Sequence, residues 1–285
     1  MIIERIVNKM SFIKKLKQDK AKNFLRIIIK IDEFFWRTRL LFFSTILGKK
    51  SKSSRALDDL KNFGVAVVPN FYTEKKVSEI KSKCLDLLDQ LNSSKDDRID
   101  IEKVPNQIKI KGLHKINKYF KSIGRDFKTS LITLAYHLSL SKPYLIYNFY
   151  HDGKSDHNIF GEEGKKTETI AGILHIDSYL HQLRMCVALE DVTKENGPTL
   201  CYKNSMNLNV IKENHLNIAL ERFKFHNDKN IGHHINDEKM KHLENNTQKV
   251  YITAKKGDLI LLDLKTAHCQ TLLKKGERHL LWFFF

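Results

Sequence analysis

The stretch ILHIDSY, residues 173–179, places a histidine and an aspartate two positions apart in a run of apolar residues. In a β-strand, His175 and Asp177 would point to the same face, with Cα atoms about 6.5–7 Å apart. An imidazole and a carboxylate at that separation can share one metal ion. A half-buried strand with two polar residues on its outer face would look the same, so the pair alone does not identify a metal site.

A second candidate ligand, His268, follows in LILLDLKTAHC, 93 residues after His175. Two histidines and one carboxylate bind non-haem Fe(II) and leave three coordination positions open. Zinc can use the same three residues. The sequence therefore predicts a metal centre made by His175, Asp177 and His268, with the metal left open between iron and zinc.

Arg278 lies ten residues after His268 and begins the apolar run RHLLWFFF. Its guanidinium could bind a carboxylate through two hydrogen bonds, although an ordinary strand-end arginine is the alternative. A simple hairpin through residues 274–277 would leave Arg278 roughly 16 Å along the sheet from His268. That is too far for one small dicarboxylate to reach both a metal and Arg278. Two facing sheets lie only about 10 Å apart, so we predict that His268 and Arg278 lie on opposed sheets.

The remaining pattern predicts an α+β fold with a mainly β core and N-terminal helices. Many short strands with turn residues between them, from Pro143 onward, are typical of a sandwich or barrel. Apolar spacing predicts a helix over 74–92, with Thr73 as its N-cap. We also expect helix over most of 1–48, a solvated linker over 48–55, and loop or lid insertions over 151–169 and 203–247.

The order of these motifs resembles the phytanoyl-CoA dioxygenase-like family of Fe(II)/2-oxoglutarate-dependent oxygenases. The resemblance covers about residues 58–285 and rests on HID at 175–177, LEDVTKENGPT, GDLILLD before His268, and Arg278. It implies a double-stranded β-helix, or jelly roll. By position, His175, Asp177 and His268 would bind Fe(II), Arg278 would hold the distal carboxylate of 2-oxoglutarate, and O₂ would be the other cosubstrate.

The resemblance also bears on the reaction. Halogenases of this family carry a small residue in place of the carboxylate ligand, so Asp177 implies hydroxylation of a C–H bond or a related oxidation. The implied substrate is a small metabolite or a lipid-linked or glycan-linked molecule. Asn148, on the strand predicted over 144–150, is a further candidate for contact with the cosubstrate. Gln270 stands where a small hydroxyl residue often assists the arginine, and residues 203–206 read KNSM where the family often has Pro-Gly-Ser-His.

Positive charge is concentrated at the N-terminus of a chain whose net charge is +17. Residues 1–55 hold 15 Lys or Arg against 4 Asp or Glu. We favour a helix that packs its aromatic face on the main domain, over peripheral contact with a membrane surface or nucleic-acid binding, for which no recognition motif is present. The apolar run within 31–50 is interrupted by Arg37 and Arg39 and is too short for a span. We predict a basic helical extension and linker over 1–57 and an oxygenase domain over 58–285.

Two other functional classes fit the sequence. A catalytically inactive jelly-roll binding module could keep these residues, and a zinc-dependent hydrolase could use the triad without a role for Arg278. Widely spaced cysteines without a C-x-x-C pair indicate a reducing, cytoplasmic location. Of the other histidines, we expect His181 and His279 to be structural and His233 and His234 to lie in a solvated loop.

Overall fold

The computed structural model describes residues 13, 16–47, 51–93, 98, 100–104, 107–128, 131–136, 144–151, 172–223 and 233–284. Its helices are α1 (Gln18–Leu47), α2 (Lys52–Phe63), α3 (Glu74–Ser93), α4 (Leu113–Ile116), α5 (Lys118–Lys128), α6 (Leu131–Tyr136), α7 (Asn209–Arg222) and α8 (Asp237–Asn246). Its strands are β1 (Val65–Val68), β2 (Asp100–Val104), β3 (Gln107–Lys111), β4 (Tyr144–His151), β5 (Leu183–Ala188), β6 (Thr199–Lys203), β7 (Gln248–Ile252), β8 (Leu259–Asp263), β9 (His268–Gln270) and β10 (Glu277–Phe284).

In the described part of the chain, the strands form two antiparallel sheets. The larger has seven strands in the order β1-β8-β5-β10-β4-β3-β2, and the smaller has three in the order β7-β6-β9. Between them lies an apolar core to which both sheets contribute, for example Cys186 and Leu280 from the larger sheet and Cys201 and Ile252 from the smaller. This is the predicted jelly roll.

Alternation along the strands gives the larger sheet a second buried face. Leu280 of β10 points into the core between the sheets, whereas Leu281 and Phe283 point to the opposite side. There they pack with side chains of the helices, including Val77 and Ile80 of α3. Because successive residues of a strand point to opposite faces, this assignment also fixes the direction of Arg278, two residues before Leu280.

The N-terminal helix α1 packs against the rest of the protein through one face. Trp36 and Leu40 join the core beneath the larger sheet, and Ala21 and Leu25 join a second apolar cluster beside the smaller sheet. The helix packs on the main domain as predicted, but the prediction that its aromatic face is the packed one is wrong in part, because Trp36 is buried while Phe34 and Phe42 are exposed. No helix among the described residues is both long enough and apolar enough to cross a bilayer.

Two local predictions need correction, and one hairpin was not predicted. The expected linker over 48–55 contains, from Ser51, the N-cap and first turn of α2, because the Ser51 hydroxyl accepts a hydrogen bond from the Ser54 backbone N–H. His233 and His234, expected in a solvated loop, lie in a segment that pairs with the backbone of 174–176, since Ile176 N–H donates to His233 O and Ile235 N–H donates to Leu174 O. The hairpin β2–β3 was not predicted. The predicted loop 151–169 lies, beyond His151, outside the described residues.

Candidate metal centre

The three predicted ligands lie together. One donor atom from each of His175, Asp177 and His268 can be chosen so that all lie within 4.8 Å of one another. His175 Nε2 is 3.4 Å from Asp177 Oδ1, and His268 Nε2 is 3.5 Å from Asp177 Oδ2. Both imidazoles are buried, and the carboxylate is partly exposed. The group thus has the two nitrogens and one oxygen that Fe(II) or zinc would need.

Backbone pairing holds the ligands in this arrangement. His175 N–H donates to His268 O, and His268 N–H donates to His175 O, each at 2.9 Å. Asp177 N–H donates to Leu264 O at 3.0 Å. His175 and Asp177 are therefore held by backbone hydrogen bonds next to β9, the strand that begins with His268.

Each imidazole uses its other nitrogen to fix its orientation. His175 Nδ1–H donates to Ile173 O at 2.6 Å, and His268 Nδ1–H donates to Thr266 O at 2.8 Å. This leaves Nε2 of each ring as the nitrogen with a free lone pair, which is the usual arrangement of metal-binding histidines. His268 Nε2 is buried and has no hydrogen-bond partner among the described residues. A buried nitrogen of this kind costs free energy unless something binds it, so the site fits a metal ion.

The electrostatics favour the ligand forms of these groups. Burial raises the pKa of Asp177, but the nearby Arg184 guanidinium and the two imidazoles outweigh it and hold that pKa well below its ordinary value. Burial, together with the neighbouring His175, lowers the pKa of His268. An ionised carboxylate and a neutral imidazole are the states that bind a metal.

Arg184 of β5 is a site residue that the sequence analysis missed. Its Nη2 is 2.7 Å from Asp177 Oδ2. It shares the inner face of β5 with Cys186, which belongs to the core between the sheets. Arg184 is a charged residue in the otherwise apolar strand LRMCVA, which could have marked it as a candidate. The sequence does not indicate which carboxylate would pair with it.

Arg278 lies on the opposite sheet from His268, as predicted: His268 is in β9 of the smaller sheet and Arg278 is in β10 of the larger. The guanidinium is fully buried and points between the sheets. With its amide turned so that the oxygen faces the guanidinium, Gln270 accepts hydrogen bonds from Arg278. Gln270 is two residues beyond His268 on the same strand face, about 7 Å along β9. The guanidinium that contacts Gln270 is therefore displaced along β9 from His268 by a distance that a short dicarboxylate can span.

Asn148 lies on the same inner face of the larger sheet. It is directly opposite Leu280 in the β4–β10 pairing, while Arg278 is opposite Tyr150. Asn148 is buried, and its Oδ1 accepts a hydrogen bond of 3.2 Å from Gln107 Nε2. The Asn148 side-chain oxygen thus already accepts a hydrogen bond from Gln107 on the neighbouring strand β3. Its side-chain N–H groups are the ones that could donate to a cosubstrate.

A second buried histidine cluster lies beside the metal centre. His181 Nδ1 is 2.5 Å from Asp263 Oδ2, and His181 Nε2 is 2.6 Å from Glu33 Oε2. Tyr136 donates its hydroxyl proton to the same Asp263 oxygen at 3.0 Å, and Lys265 Nζ lies 3.4 Å from Glu33 Oε2. Burial and Lys265 lower the pKa of His181, but the two carboxylates outweigh them and raise it.

Helix α1 supplies three contacts to this cluster. Glu33 is one, and the Trp36 indole stacks on the His181 ring with 3.6 Å between centroids and 3° between planes. The third is Asp32, which accepts a hydrogen bond from His181 N–H. The cluster thus joins α1 to the segment that follows Asp177 and to the turn that precedes His268.

The other histidine predictions divide. His279 is structural, since its Nδ1 is 2.7 Å from Tyr147 Oη and its Nε2 is 3.1 Å from Glu277 Oε2. His181 is structural in the same sense, as predicted. His233 is not in a solvated loop, because it is partly buried and its Nδ1–H donates to Ile176 O at 2.8 Å.

Comparison with known proteins places this geometry in a family. The family profile described as "Phytanoyl-CoA dioxygenase (PhyH)" matches residues 60–269. The epimerase SnoN, in complex with Fe3+, alpha ketoglutarate and nogalamycin RO, has a similar fold, with a TM-score of 0.54, 12% identity, and coverage of 81% of this chain and 82% of that one. The apo form of EctD from S. alaskensis has a TM-score of 0.54 and 15% identity, covering 83% of this chain and 78% of that one.

These structural likenesses show the fold, and a comparison with curated protein sequences finds no match. The family profile covers most of the chain, including the jelly-roll strands up to β9 and all three members of the triad. The chain therefore belongs to the phytanoyl-CoA dioxygenase (PhyH) family.

Proposed function

We propose that this protein is an Fe(II)- and 2-oxoglutarate-dependent dioxygenase that hydroxylates an unactivated C–H bond. The substrate we propose is a small metabolite or a lipid-linked or glycan-linked molecule. The observation that carries the proposal is the pairing of a compact His-Asp-His group with a buried arginine on the opposed sheet.

In this proposal each residue has a separate task. His175, Asp177 and His268 hold Fe(II) on one face and leave the other coordination positions open. Arg278 binds the distal carboxylate of 2-oxoglutarate through both guanidinium arms. The carboxylate either displaces Gln270 from the guanidinium or is bound beside it. Asn148 contacts the cosubstrate through its amide N–H groups.

Iron bound here would supply the activation of O₂, coupled to the oxidation of 2-oxoglutarate to succinate and CO₂. The chain contributes orientation. The Nδ1 hydrogen bonds keep both imidazoles directed at one point, and Arg184 holds one oxygen of Asp177, so a single carboxylate oxygen is left for the metal. A carboxylate that binds through one oxygen keeps a coordination position available for O₂ and the keto acid.

The test is succinate formation by protein purified without oxygen and then given Fe(II), 2-oxoglutarate and O₂, with a panel of lipid-linked and glycan-linked candidates. We expect turnover by the wild type and none by His268→Ala. Arg278→Ala should keep its iron but bind 2-oxoglutarate at least tenfold more weakly, because removing one partner of a buried charge pair costs about 2–5 kcal/mol.

The two other classes give different results in the same experiment. A binding module would form no succinate with any candidate and would not retain iron. A zinc hydrolase would be purified with zinc, and Arg278→Ala would leave its activity unchanged.

The domain arrangement proposed here is a basic N-terminal extension over 1–57 followed by the oxygenase domain over 58–285.

A further inference from the structure

The exposed apolar side chains of the described residues are concentrated on one helix. Where the structure describes side chains, the exposed large hydrophobic residues other than Phe63 all lie on α1: Ile27, Ile31, Phe34, Phe35, Leu41, Phe42 and Ile46. Phe34, Leu41 and Phe42 are 66%, 64% and 61% exposed. Isolated exposed hydrophobic residues are ordinary, but a contiguous group marks an interaction site.

These residues form one stripe along the helix, which we call the α1 stripe. Their spacings of three, four and seven residues place them on a single side. The opposite side of α1 is buried. It includes Leu25, Trp36 and Leu40, whose separations of eleven and four residues place them on one side of a helix. Trp36 and Phe34 are two positions apart, which is about 200° around the helix. Packing against the domain therefore leaves the α1 stripe facing away from it.

Positive charge borders the stripe. Arg26, Lys30 and Arg37 are exposed and lie along one edge of it, and Arg37 is also paired with Glu33 at 2.6 Å. Residues 1–55 hold 15 Lys or Arg against 4 Asp or Glu. Lipid headgroups that carry negative charge would meet this edge favourably, while Phe and Leu side chains enter the boundary of the acyl chains.

We infer that the α1 stripe docks the protein on an anionic lipid bilayer, with α1 lying in the plane of the interface. Its 30 residues extend about 45 Å, which gives the stripe a long line of contact. A second copy of the chain is the less favourable occupant, because it would bring together two basic edges and two chains of net charge +17. The inference is independent of the catalytic proposal, since lipid binding needs neither iron nor 2-oxoglutarate.

The test is sedimentation of the full-length protein with vesicles of phosphatidylcholine alone or with roughly 30% phosphatidylglycerol. We expect the wild type to sediment with the anionic vesicles, and less so in about 0.5 M salt, because salt screens the basic edge. The triple variant Phe34→Ser, Leu41→Ser and Phe42→Ser should bind at least about tenfold more weakly, since three apolar side chains no longer enter the bilayer. These side chains are exposed, so its thermal unfolding should match that of the wild type.

A charge-matched pair of variants locates the effect. Arg26→Glu with Lys30→Glu should weaken binding about tenfold. Lys75→Glu with Lys241→Glu makes the same change in net charge at exposed sites on α3 and α8, and should weaken binding by about twofold or less, because these sites are off the α1 stripe.

Three results would overturn the inference. One is a wild type that stays in the supernatant with anionic vesicles at low salt. Another is equal weakening by both charge variants, which would indicate attraction by net charge alone. The last is a dimer, seen by light scattering, that the triple variant converts to a monomer without any change in vesicle binding, which would assign the stripe to a second copy.

Discussion

Two buried histidine–carboxylate clusters lie side by side in this protein and differ in how their nitrogens are used. In the candidate metal centre, each imidazole donates a hydrogen bond from Nδ1 to a backbone carbonyl oxygen. Its Nε2 is left near the Asp177 carboxylate, where a metal ion could bind all three residues. In the neighbouring cluster, both nitrogens of His181 lie within 2.6 Å of a carboxylate oxygen, one from Asp263 and one from Glu33. The first cluster has capacity for a cation, and the second is already neutralised by its own side chains.

The difference teaches that composition does not separate a binding site from a structural one. Both clusters are buried, and both contain histidine and aspartate. What separates them is whether the protein itself satisfies the polar atoms, because an unsatisfied buried nitrogen is stabilised only when a ligand arrives. Substitutions in either cluster, or in the Arg184 that contacts Asp177, therefore show whether metal binding or stability depends on the residue changed.

The largest expected effect is on metal binding. His268→Ala removes one of the three ligands proposed among the described residues, so we expect retained iron to fall to background in metal analysis of the purified protein. His181→Ala serves as the control, because His181 does not face the metal position, and its folded fraction should still bind iron. Iron retained at full stoichiometry by His268→Ala would exclude this residue as a ligand.

The reverse effect is expected for stability. His181→Ala leaves the buried Asp263 and the partly buried Glu33 without their shared partner, and breaking a buried ion pair costs about 3–5 kcal/mol. Urea unfolding of the metal-free protein should show this loss in the free energy of unfolding. His268→Ala should lose less under the same conditions, because its Nε2 has no hydrogen-bond partner among the described residues to begin with. Equal losses would remove the distinction between the clusters.

A smaller effect is expected for the residue that supports Asp177. Arg184→Gln removes the charge that holds Asp177 Oδ2, and loss of such a support typically weakens metal binding about 10–100-fold. Competition with a chelator under anaerobic conditions measures this affinity. Lys81→Gln is the matched control, since it removes a 2.7 Å ion pair with Glu190 that is separate from the triad. The same affinity in Arg184→Gln and Lys81→Gln would mean that Arg184 does not support the ligand.

The smallest effect is on the pH dependence of stability. The pKa of His181 is raised above its ordinary 6.5, so its contribution is complete below that pH and is lost as the pH rises through the raised value. In metal-free protein the free energy of unfolding should fall over this range by at most about 1.4 kcal/mol per pH unit for one proton. The charged groups in contact with His181 are Glu33, Asp263, Lys265 and, at its backbone N–H, Asp32; Tyr136 contacts it through Asp263.

The variant Glu33→Gln isolates this contribution. Without the Glu33 carboxylate the pKa of His181 is raised less, so the loss of stability should begin at lower pH and be smaller. Urea unfolding between about pH 6 and 8.5, compared with the wild type, measures it. Superimposable profiles would show that Glu33 does not stabilise the charged form of His181.

The fold and the triad could be predicted because their signals are periodic or local. The two-residue spacing of His175 and Asp177 indicated a shared strand face. In the structure residues 172–179 form no strand, but isolated bridges from His175 to His234 and His268 still bring the ligand candidates together. The position of Arg278 on the opposed sheet was predicted because a small dicarboxylate could not reach both the metal and Arg278 if a simple hairpin joined their strands. The roles of Arg184 and Glu33 could not be predicted, because each depends on a tertiary partner whose position no local pattern gives. Glu33 in particular lies on a helix that the family profile, which begins at residue 60, does not include.

The local errors have the same origin. His233 and His234 follow a polar stretch with no strand periodicity, and their segment is ordered by pairing with residues 174–176 rather than by its own sequence. The predicted linker was misread because its lysines and serines suggested solvent, although Ser51 is a good N-cap. Its helix ends at Gly64, whose φ of 77° suits glycine and whose missing side chain makes room for Thr266.

The reciprocal backbone hydrogen bonds between His175 and His268 have a consequence for how such an enzyme can diversify. They clamp two distant points of the chain directly to each other, so the reactive end of the barrel is defined without help from most of the intervening sequence. Residues 233–235 of the excursion between β6 and β7 pair with the backbone of 174–176 and belong to this clamp. Lengthening the rest of the excursion would cost only the slowly growing entropy of closing a longer loop. New molecular targets could therefore be acquired by exchanging the parts of the excursion outside residues 233–235, while the imidazoles keep the same spacing.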